Sequence, residues 1–507
     1  MNDLPGFENA YGEGPDRRGV EKKESLRLKA INRDQLLLRP VDVEKLVPPD
    51  HEVRAIWEFA GRLDLSAYCE DIKAVEGRAG AAAFDPRLLV SVWIYSYAKG
   101  VGSAREISRL CDYDPAYQWL TGCEPIGYHT LSGFRSTHKE ALDELFANIL
   151  GILSNEGLVT LQQVMHDGTK VKACAGSDSF RREEKLKAHL DAARAQVDRL
   201  KESTDEEPRI QKAQERAARE RKEKLEKAFS ELAKIRETKS SFEDKENARA
   251  SATDPEARIM KGPGGGFGPA YNVQISTDSA NSIIVAAAPS QRGDDYRELV
   301  PAVGRIEKNM DKMPSQVVAD GGFTSRENIL AMDNKCIEFI GSLQERTSRG
   351  QFEKRGVDPA FRPEHFVYDE DSDAYVCPQG KALAYARREE NIGKTTFIYN
   401  AKKKDCQSCR HREKCCPGKA ERRFIARGVD HPVVAAFIQK METEEARAVY
   451  KKRGAIAEFP NAWIKDKLGL RQFRLRGLLK VGMETLWACI TYNVQQWIRL
   501  VWRPRLA

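Results

Sequence analysis

The segment Gln316-Val317-Val318-Ala319-Asp320-Gly321-Gly322-Phe323-Thr324-Ser325 constrains the fold of this chain more than any other. Its apolar run, with two β-branched valines, suits a buried strand. The run ends in a carboxylate and two glycines, which permit a sharp exit and close backbone approach. Thr324 with Glu327 reads as a capping box that opens a helix. Asp320 is therefore expected at the C-terminal end of a strand, where open α/β sheets place their chemistry. A carboxylate there is costly to desolvate unless a cation or a donor meets it. Two other acids stand out as partners, Asp167 upstream and Glu458 downstream.

Asp167 lies in Val164-Met165-His166-Asp167-Gly168-Thr169-Lys170-Val171. An Asp before Gly is usually a turn residue, but apolar flanks and the resumption at Val171 place this one within or just after a strand. Before it, residues 33–157 carry helical periodicity, with Pro86 opening one run and Ser103 with Glu106 capping another. Short segments bearing Arg105, Arg109, Arg135, His138 and Lys139 fit two readings equally: a helix-turn-helix DNA reader, or a helical bundle with surface arginines. Residues 1–32 mix Gly, Pro and charge without period and read as a disordered tail.

Residues 180–250 are a different material, dense in Lys, Arg, Glu and Ala. Leu186, Leu190, Ala193, Val197 and Leu200 form a heptad seam. A second seam begins at Ile210, Ala213 and Ala217 and continues through Leu225, Ala228, Leu232 and Ile235. Two antiparallel helices forming an arm are expected. Lys261–Gly268 is glycine-rich but lacks the Gly-Lys-Ser/Thr ending of a phosphate loop, so it reads as a flexible lead-in. A hairpin follows at Tyr271–Ala287. Asp295 with Glu298 is expected to cap a helix through Ile306, before the Asp320 strand, a helix, and a further strand at Ile337–Ser342. An antiparallel hairpin followed by alternating helix and strand matches an RNase H-like α/β core. That core would comprise residues 158–179, 251–343 and 431–507.

A chain of 507 residues is long enough for about three domains. Its N-terminus is polar, with no export signal, and no apolar run is free of charge for long enough to span a membrane. Eleven cysteines without an export signal favour reduced thiols or metal over a disulfide framework. They concentrate in residues 344–430, a Cys-rich insertion. Cys377-Pro378-Gln379-Gly380-Lys381 resembles a zinc-knuckle loop. Cys406-x2-Cys409 and Cys415 complete a four-thiolate set, with Cys416 and His411 as fallback ligands. The spacing favours a structural Zn²⁺ over free surface thiols.

Glu458 lies between Tyr450, Arg453 and Lys465. Helical spacing puts Arg453, Glu458 and Lys465 on one broad face, and Pro460 is expected to kink or restart the helix. Lys467, Arg471, Arg474 and Arg476 follow, a basic run suited to phosphates. The segment from Leu486 to Ile498 reads as a core-covering helix.

With these residues in view, the chain resembles the bacterial insertion-sequence DDE transposases. Tyr450, Arg453, Glu458 and Lys465 look like that family's Tyr–Arg–Glu–Lys signature, although four residues separate Arg453 from Glu458 where three are commonest. The Asp167 and Asp320 segments are similar to its two Asp motifs, and the four-cysteine insertion resembles its long-chain eleven-eighty-two group. The resemblance implies an RNase H-like (retroviral-integrase-like) core whose Asp167, Asp320 and Glu458 bind two Mg²⁺ or Mn²⁺ ions and cleave DNA by hydrolysis. It implies that the 3′-hydroxyl then joins target DNA. Tyr450, Arg453, Lys465, Lys467, Arg471, Arg474 and Arg476 would contact DNA. The implied partners are the element's terminal inverted repeats, target DNA and a second copy on DNA ends, at the nucleoid in the cytoplasm. A nuclease without strand transfer and an inactive DNA-binding relic are the alternatives.

Overall fold

The computed structural model describes residues 33–506 except 35, 37, 39, 71, 73, 75–81, 203–207, 263 and 344–351. The expected tail over 1–32 lies outside the described residues. From Glu52 the chain is helical: α1 (Glu52–Ala60), α2 (Pro86–Ala98), α3 (Ala104–Tyr113), α4 (Pro115–Thr121), α5 (Tyr128–Thr137) and α6 (Lys139–Asn155). Side-chain caps start four of them, the first being His51, whose Nδ1 accepts from Val53 N–H. Asp85 accepts from Arg87 N–H, Ser103 from Glu106 N–H, and Asp114 from Ala116 N–H. Arg135, a candidate DNA reader in the sequence, is buried instead. Its guanidinium donates to the Gly102 carbonyl at 2.6 Å and lies 4.6 Å from the Trp93 ring. A cation is tolerated there because acceptor and ring face it. Arg105 and Arg109 remain exposed.

The sheet begins with β1 (Gln163–Lys172). The arm follows as α7 (Glu183–Glu202) and α8 (Pro208–Glu237). Leu186, Leu190 and Ala193 pack on Leu225, Ala228 and Leu232, while Arg236 pairs with Glu183, so the two helices run antiparallel. The second seam starts differently from the sequence reading: Ile210, Ala213 and Ala217 are exposed and Ala218 is buried. The helix turns its seam one residue further round so that Leu225, Ala228 and Leu232 meet α7. At the arm's base, Phe180–Arg181 pairs antiparallel with Ala250–Ser251, closing the two chain crossings with a two-residue clasp.

Then come β2 (Arg258–Lys261), β3 (Phe267–Asp278), β4 (Ile283–Ser290), α9 (Leu299–Met310), β5 (Gln316–Ala319), α10 (Arg326–Asn334) and β6 (Glu338–Ile340). β3 pairs antiparallel with β1 on one edge and with β2 and β4 on the other. β1 continues to β5 and β5 to β6, both parallel. The glycine-rich lead-in is thus a hairpin turn, with Gly262 N–H bonded to the Gly266 carbonyl, and β2 is a strand that periodicity did not reveal. α9 is not capped by Asp295. It starts at Leu299, and the Asp295 carboxylate points to the sheet. α10 is capped by Ser325, which accepts from Asn328 N–H, because the Thr324 hydroxyl is bonded to the Asp320 carbonyl.

The Cys-rich insertion builds its own antiparallel sheet: β7 (Val367–Asp369), β8 (Ala374–Val376), β9 (Ala382–Asn391), β10 (Lys394–Ala401) and β11 (Phe424–Asp430), ordered β11-β10-β9-β8-β7. The chain returns through α11 (Pro432–Met441), α12 (Glu444–Asp466) and α13 (Leu478–Trp497). α12 runs through Pro460 without restarting. α13 is buried nearly all round rather than on one face. Its Asn493 side chain bonds both the N–H and the carbonyl of Ile284 in β4, at 2.9 and 2.8 Å. Trp93, Phe146, Tyr271, Ile284, Trp487 and Trp497 belong to one hydrophobic cluster, so the N-terminal helices and the sheet share a core around α13. No helix among the described residues is long and apolar enough to cross a membrane.

Asp254, just past the clasp, accepts from the buried Tyr271 hydroxyl at 2.9 Å and from Gly477 N–H at 3.0 Å. Asp254→Ala leaves both donors unpaired. It should cost about 2–4 kcal/mol in urea unfolding of the full chain.

Candidate active site

The β1–β5 ladder pairs Gln163 with Gln316, Val164 with Val317, Met165 with Val318 and His166 with Ala319. The next residue on each strand is an aspartate, Asp167 and Asp320. Parallel strands lie about 4.8 Å apart and side chains alternate between faces. Both acids therefore follow Met165 and Val318, which are buried with Ile340 against Ala457 of α12. This apolar patch seats α12 across the strand ends, and α12 carries the remaining candidates.

Asp167 Oδ2 accepts from Asn461 Nδ2 of α12 at 2.9 Å. Burial pushes the Asp167 carboxyl up to about 6; Arg453 and the Gly168 N–H pull it down, while the Asp320 and Asp295 carboxylates push it further up. Asp320 Oδ1 accepts from Gly322 N–H at 2.8 Å, so its side chain folds over the glycine turn. Lys465 Nζ donates to Thr169 Oγ1, and burial lowers its pKa. Arg453 Nε is buried without a partner, and its guanidinium lies 5.8 Å from the Tyr450 ring. Glu458 is exposed, one residue from buried Ala457, and forms no hydrogen bond or ion pair among the described residues. Tyr450 and Arg453 also line a cleft of ≈ 780 Å³ with Arg447, Lys451, Phe437 and Met441.

On the opposite face of β1 lies a buried polar layer that sequence reasoning missed. His166 Nδ1 meets Ser276 Oγ at 2.9 Å, and Nε2 meets Gln274 Oε1 at 3.0 Å. Gln274 Nε2 and Asn272 Nδ2 donate to Asp295 Oδ1 at 2.9 and 2.6 Å. Since Gln274 spends its NH₂ on that carboxylate, its oxygen accepts from His166 Nε2–H, and Nδ1 takes the Ser276 hydroxyl proton. Burial holds the imidazole at about 3, so the ring is neutral. The signal for this layer was the polar alternation of Asn272, Gln274 and Ser276 along a strand buried on both faces.

The donor chemistry fits a hard divalent cation: carboxylate oxygens of Asp167, Asp320 and Asp295, with the buried amide oxygen of Asn272 left without a partner. As they stand, no three His, Cys, Asp or Glu side chains among the described residues are arranged to hold an ion.

Beyond α12, Lys467, Arg471, Arg474 and Arg476 are exposed. Their strand of backbone is tied to the far end of β1, with Phe473 N–H bonded to the Lys172 carbonyl at 2.8 Å. Arg471 pairs with Asp466 at 2.6 Å, and Arg476 Nε donates to the Cys174 carbonyl at 3.0 Å. In the insertion, Cys377, Cys406, Cys409 and Cys415 line one small cavity together with buried Cys416. Backbone N–H groups of Lys381 and Arg423 point at the sulfurs of Cys377 and Cys406, at 3.3 and 3.4 Å. Burial pushes the Cys415 thiol up to about 12. His411 instead lies beside Phe361, the rings tilted with centroids 5.4 Å apart.

A family model described as a transposase DDE domain matches residues 376–498, and one described as a transposase domain (DUF772) matches residues 41–137. The first covers the cysteine set and α11 to α13; the second covers α1 to α5. Asp167 and Asp320 lie outside both. No curated protein and no solved structure matches the chain.

Asp167 has a raised folded pKa, so its stabilising contribution is complete below about 3.8 and is lost as pH rises through about 6. Asp167→Asn should therefore match wild type near pH 4 and exceed it by about 1–3 kcal/mol above pH 6. Thermal melts across pH 4–8 read this directly.

Proposed function

We propose, for a chain that belongs to the insertion-sequence DDE transposases, that it binds the terminal inverted repeats of its element, cleaves DNA there and joins the freed 3′-hydroxyl to target DNA. The observation that carries the reading is the pair of aspartates one step past the β1–β5 ladder, on the face that α12 covers. A hairpin, its neighbour β1 and two parallel strands beyond it support an RNase H-like core, and the cysteine set supports the eleven-eighty-two group.

Asp167, Asp320 and Glu458 would hold Mg²⁺ or Mn²⁺, which supplies charge stabilisation for the attacking and leaving oxygens. Asn461 orients Asp167 by its hydrogen bond. Arg453, with an unpartnered buried Nε, and Lys465 would neutralise phosphates beside the scissile bond. Tyr450 would pack against the end of the cleaved strand at the mouth of the cleft. Lys467, Arg471, Arg474 and Arg476 extend the positive track along the end of β1 and would hold the flanking backbone. Two copies on paired DNA ends would place two such sites for joining.

In the insertion, Cys377, Cys406, Cys409 and Cys415 would hold a structural Zn²⁺, a reading supported by their common cavity and the N–H groups aimed at two sulfurs. Purified protein should carry about one zinc per chain by mass spectrometry of metals, and Cys406→Ser should lose it. Zinc-free wild type of full stability would remove the metal from this region.

The function is tested with labelled DNA ending in the element's own repeat. Wild type with Mg²⁺ should cut at the end and join the product to a plasmid. Asp320→Ala and Glu458→Gln should each lose at least about a thousandfold in rate while still retarding the DNA in gels. Cutting without joining would favour the nuclease. Binding without cutting would favour the relic.

A further inference from the structure

We propose that Asp295 is a fourth acid of the cation site, adding its charge to those of Asp167 and Asp320 from the other side of β1. The inference rests on the reading of those aspartates as a cation site. Asp295 sits in the loop between β4 and α9, where the spacing to Glu298 had suggested a helix cap. Its Oδ1 takes both hydrogen bonds, from Asn272 and Gln274. Its Oδ2 takes none among the described residues and faces the turn that follows Asp320.

Two glycines show how close it comes. A Cβ built on Gly168, next to Asp167, would stand 2.6 Å from Asp295 Oδ1. A Cβ built on Gly322 would stand 3.0 Å from Asp320 Oδ1 and 3.7 Å from Asp295 Oδ2. Gly168 thus leaves room for the Asp295 carboxylate, and the Gly322 position lies close to both the Asp320 and the Asp295 carboxylates. β5 ends at Ala319 while β1 continues to Lys172, so beside Asp167 and Gly168 no β5 residue pairs with β1.

A second observation points the same way. Asn272 Oδ1 is fully buried, has no partner, and would lie 3.2 Å from the Gly168 Cβ position. Asn272 and Gln274 have both turned their NH₂ groups toward Asp295, which fixes the carboxylate and presents an unused oxygen beside it. A mere loop anchor needs the two hydrogen bonds but not the negative charge. An asparagine at 295 keeps an acceptor oxygen for both donors and removes only the charge, so it separates the two roles.

The experiment is Mn²⁺ binding to the full chain, followed by electron paramagnetic resonance of the free ion, with urea unfolding of each variant alongside. Asp295→Asn should weaken Mn²⁺ binding tenfold or more with an unchanged urea midpoint. Asp167→Asn should weaken it at least as much. Wild-type affinity in Asp295→Asn, with loss in Asp167→Asn, overturns the role of Asp295 and leaves the aspartate pair standing. Absence of Mn²⁺ binding by wild type overturns the cation site and this inference together. If Asp295→Asn does not fold, Asp295→Glu and Asp295→Gln form a charge-kept and charge-lost pair of equal size. Tighter binding by the Glu variant supports the proposal, and equal affinities overturn it.

Discussion

The parallel pairing of β1 with β5 is the constraint on which the rest of the site depends. Its register is set by apolar residues: Met165 and Val318 face α12, while Val164 and Val317 face the opposite side. A slip of one residue would turn every side chain of one strand to the wrong face. Asp167 and Asp320 would then no longer share a face. The same two buried residues, with Ile340, receive Ala457 and so fix the azimuth of α12. Asn461 and Lys465 reach Asp167 and Thr169 because that azimuth is fixed. Hydrophobic burial thereby orders the charged groups, which could not order themselves against repulsion between neighbouring carboxylates.

The shared core adds a second dependence. α13 packs on the N-terminal helices and on β4, with Asn493 stitched to the backbone of Ile284. A helix buried on every side has no face left to adjust. Trp497 and Trp463 spend their indole N–H groups on Glu156 and Gln495, which ties α6, α12 and α13 together. Cooperative unfolding of helices and sheet follows from this arrangement, because neither layer covers its apolar face alone.

Residue pattern made some features plain and hid others, for identifiable reasons. The strand before Asp320 was legible because a short β-branched run ended in glycines. The arm was legible from its heptads, but its register was off by one near Ile210, where exposed alanines mimic a seam. Ser325 displaced Thr324 as the helix cap because the Thr324 hydroxyl is held by a carbonyl four residues back. Arg135 looked like a surface cation, and only the fold supplies the Gly102 carbonyl and Trp93 ring that bury it. The sheet of the insertion was hidden by charge, since β9 is exposed at nearly every position and shows little alternation. Asp295 was misassigned because local spacing to Glu298 spoke louder than its long-range partners Asn272 and Gln274.

The two-residue clasp at the base of the arm has a consequence for how such a chain changes over time. Phe180–Arg181 and Ala250–Ser251 bring the two crossings together before either helix begins. What lies beyond the clasp is a side branch, tied to the edge of the sheet near its base, where Glu231 of α8 accepts from Arg258 of β2 and from Gln291. Turns can be added to or removed from the far ends of both helices without moving β1 or β2, because the clasp and the contacts at the base stay where they are. Arm length is thereby free to vary among descendants of this chain while the aspartates keep their register.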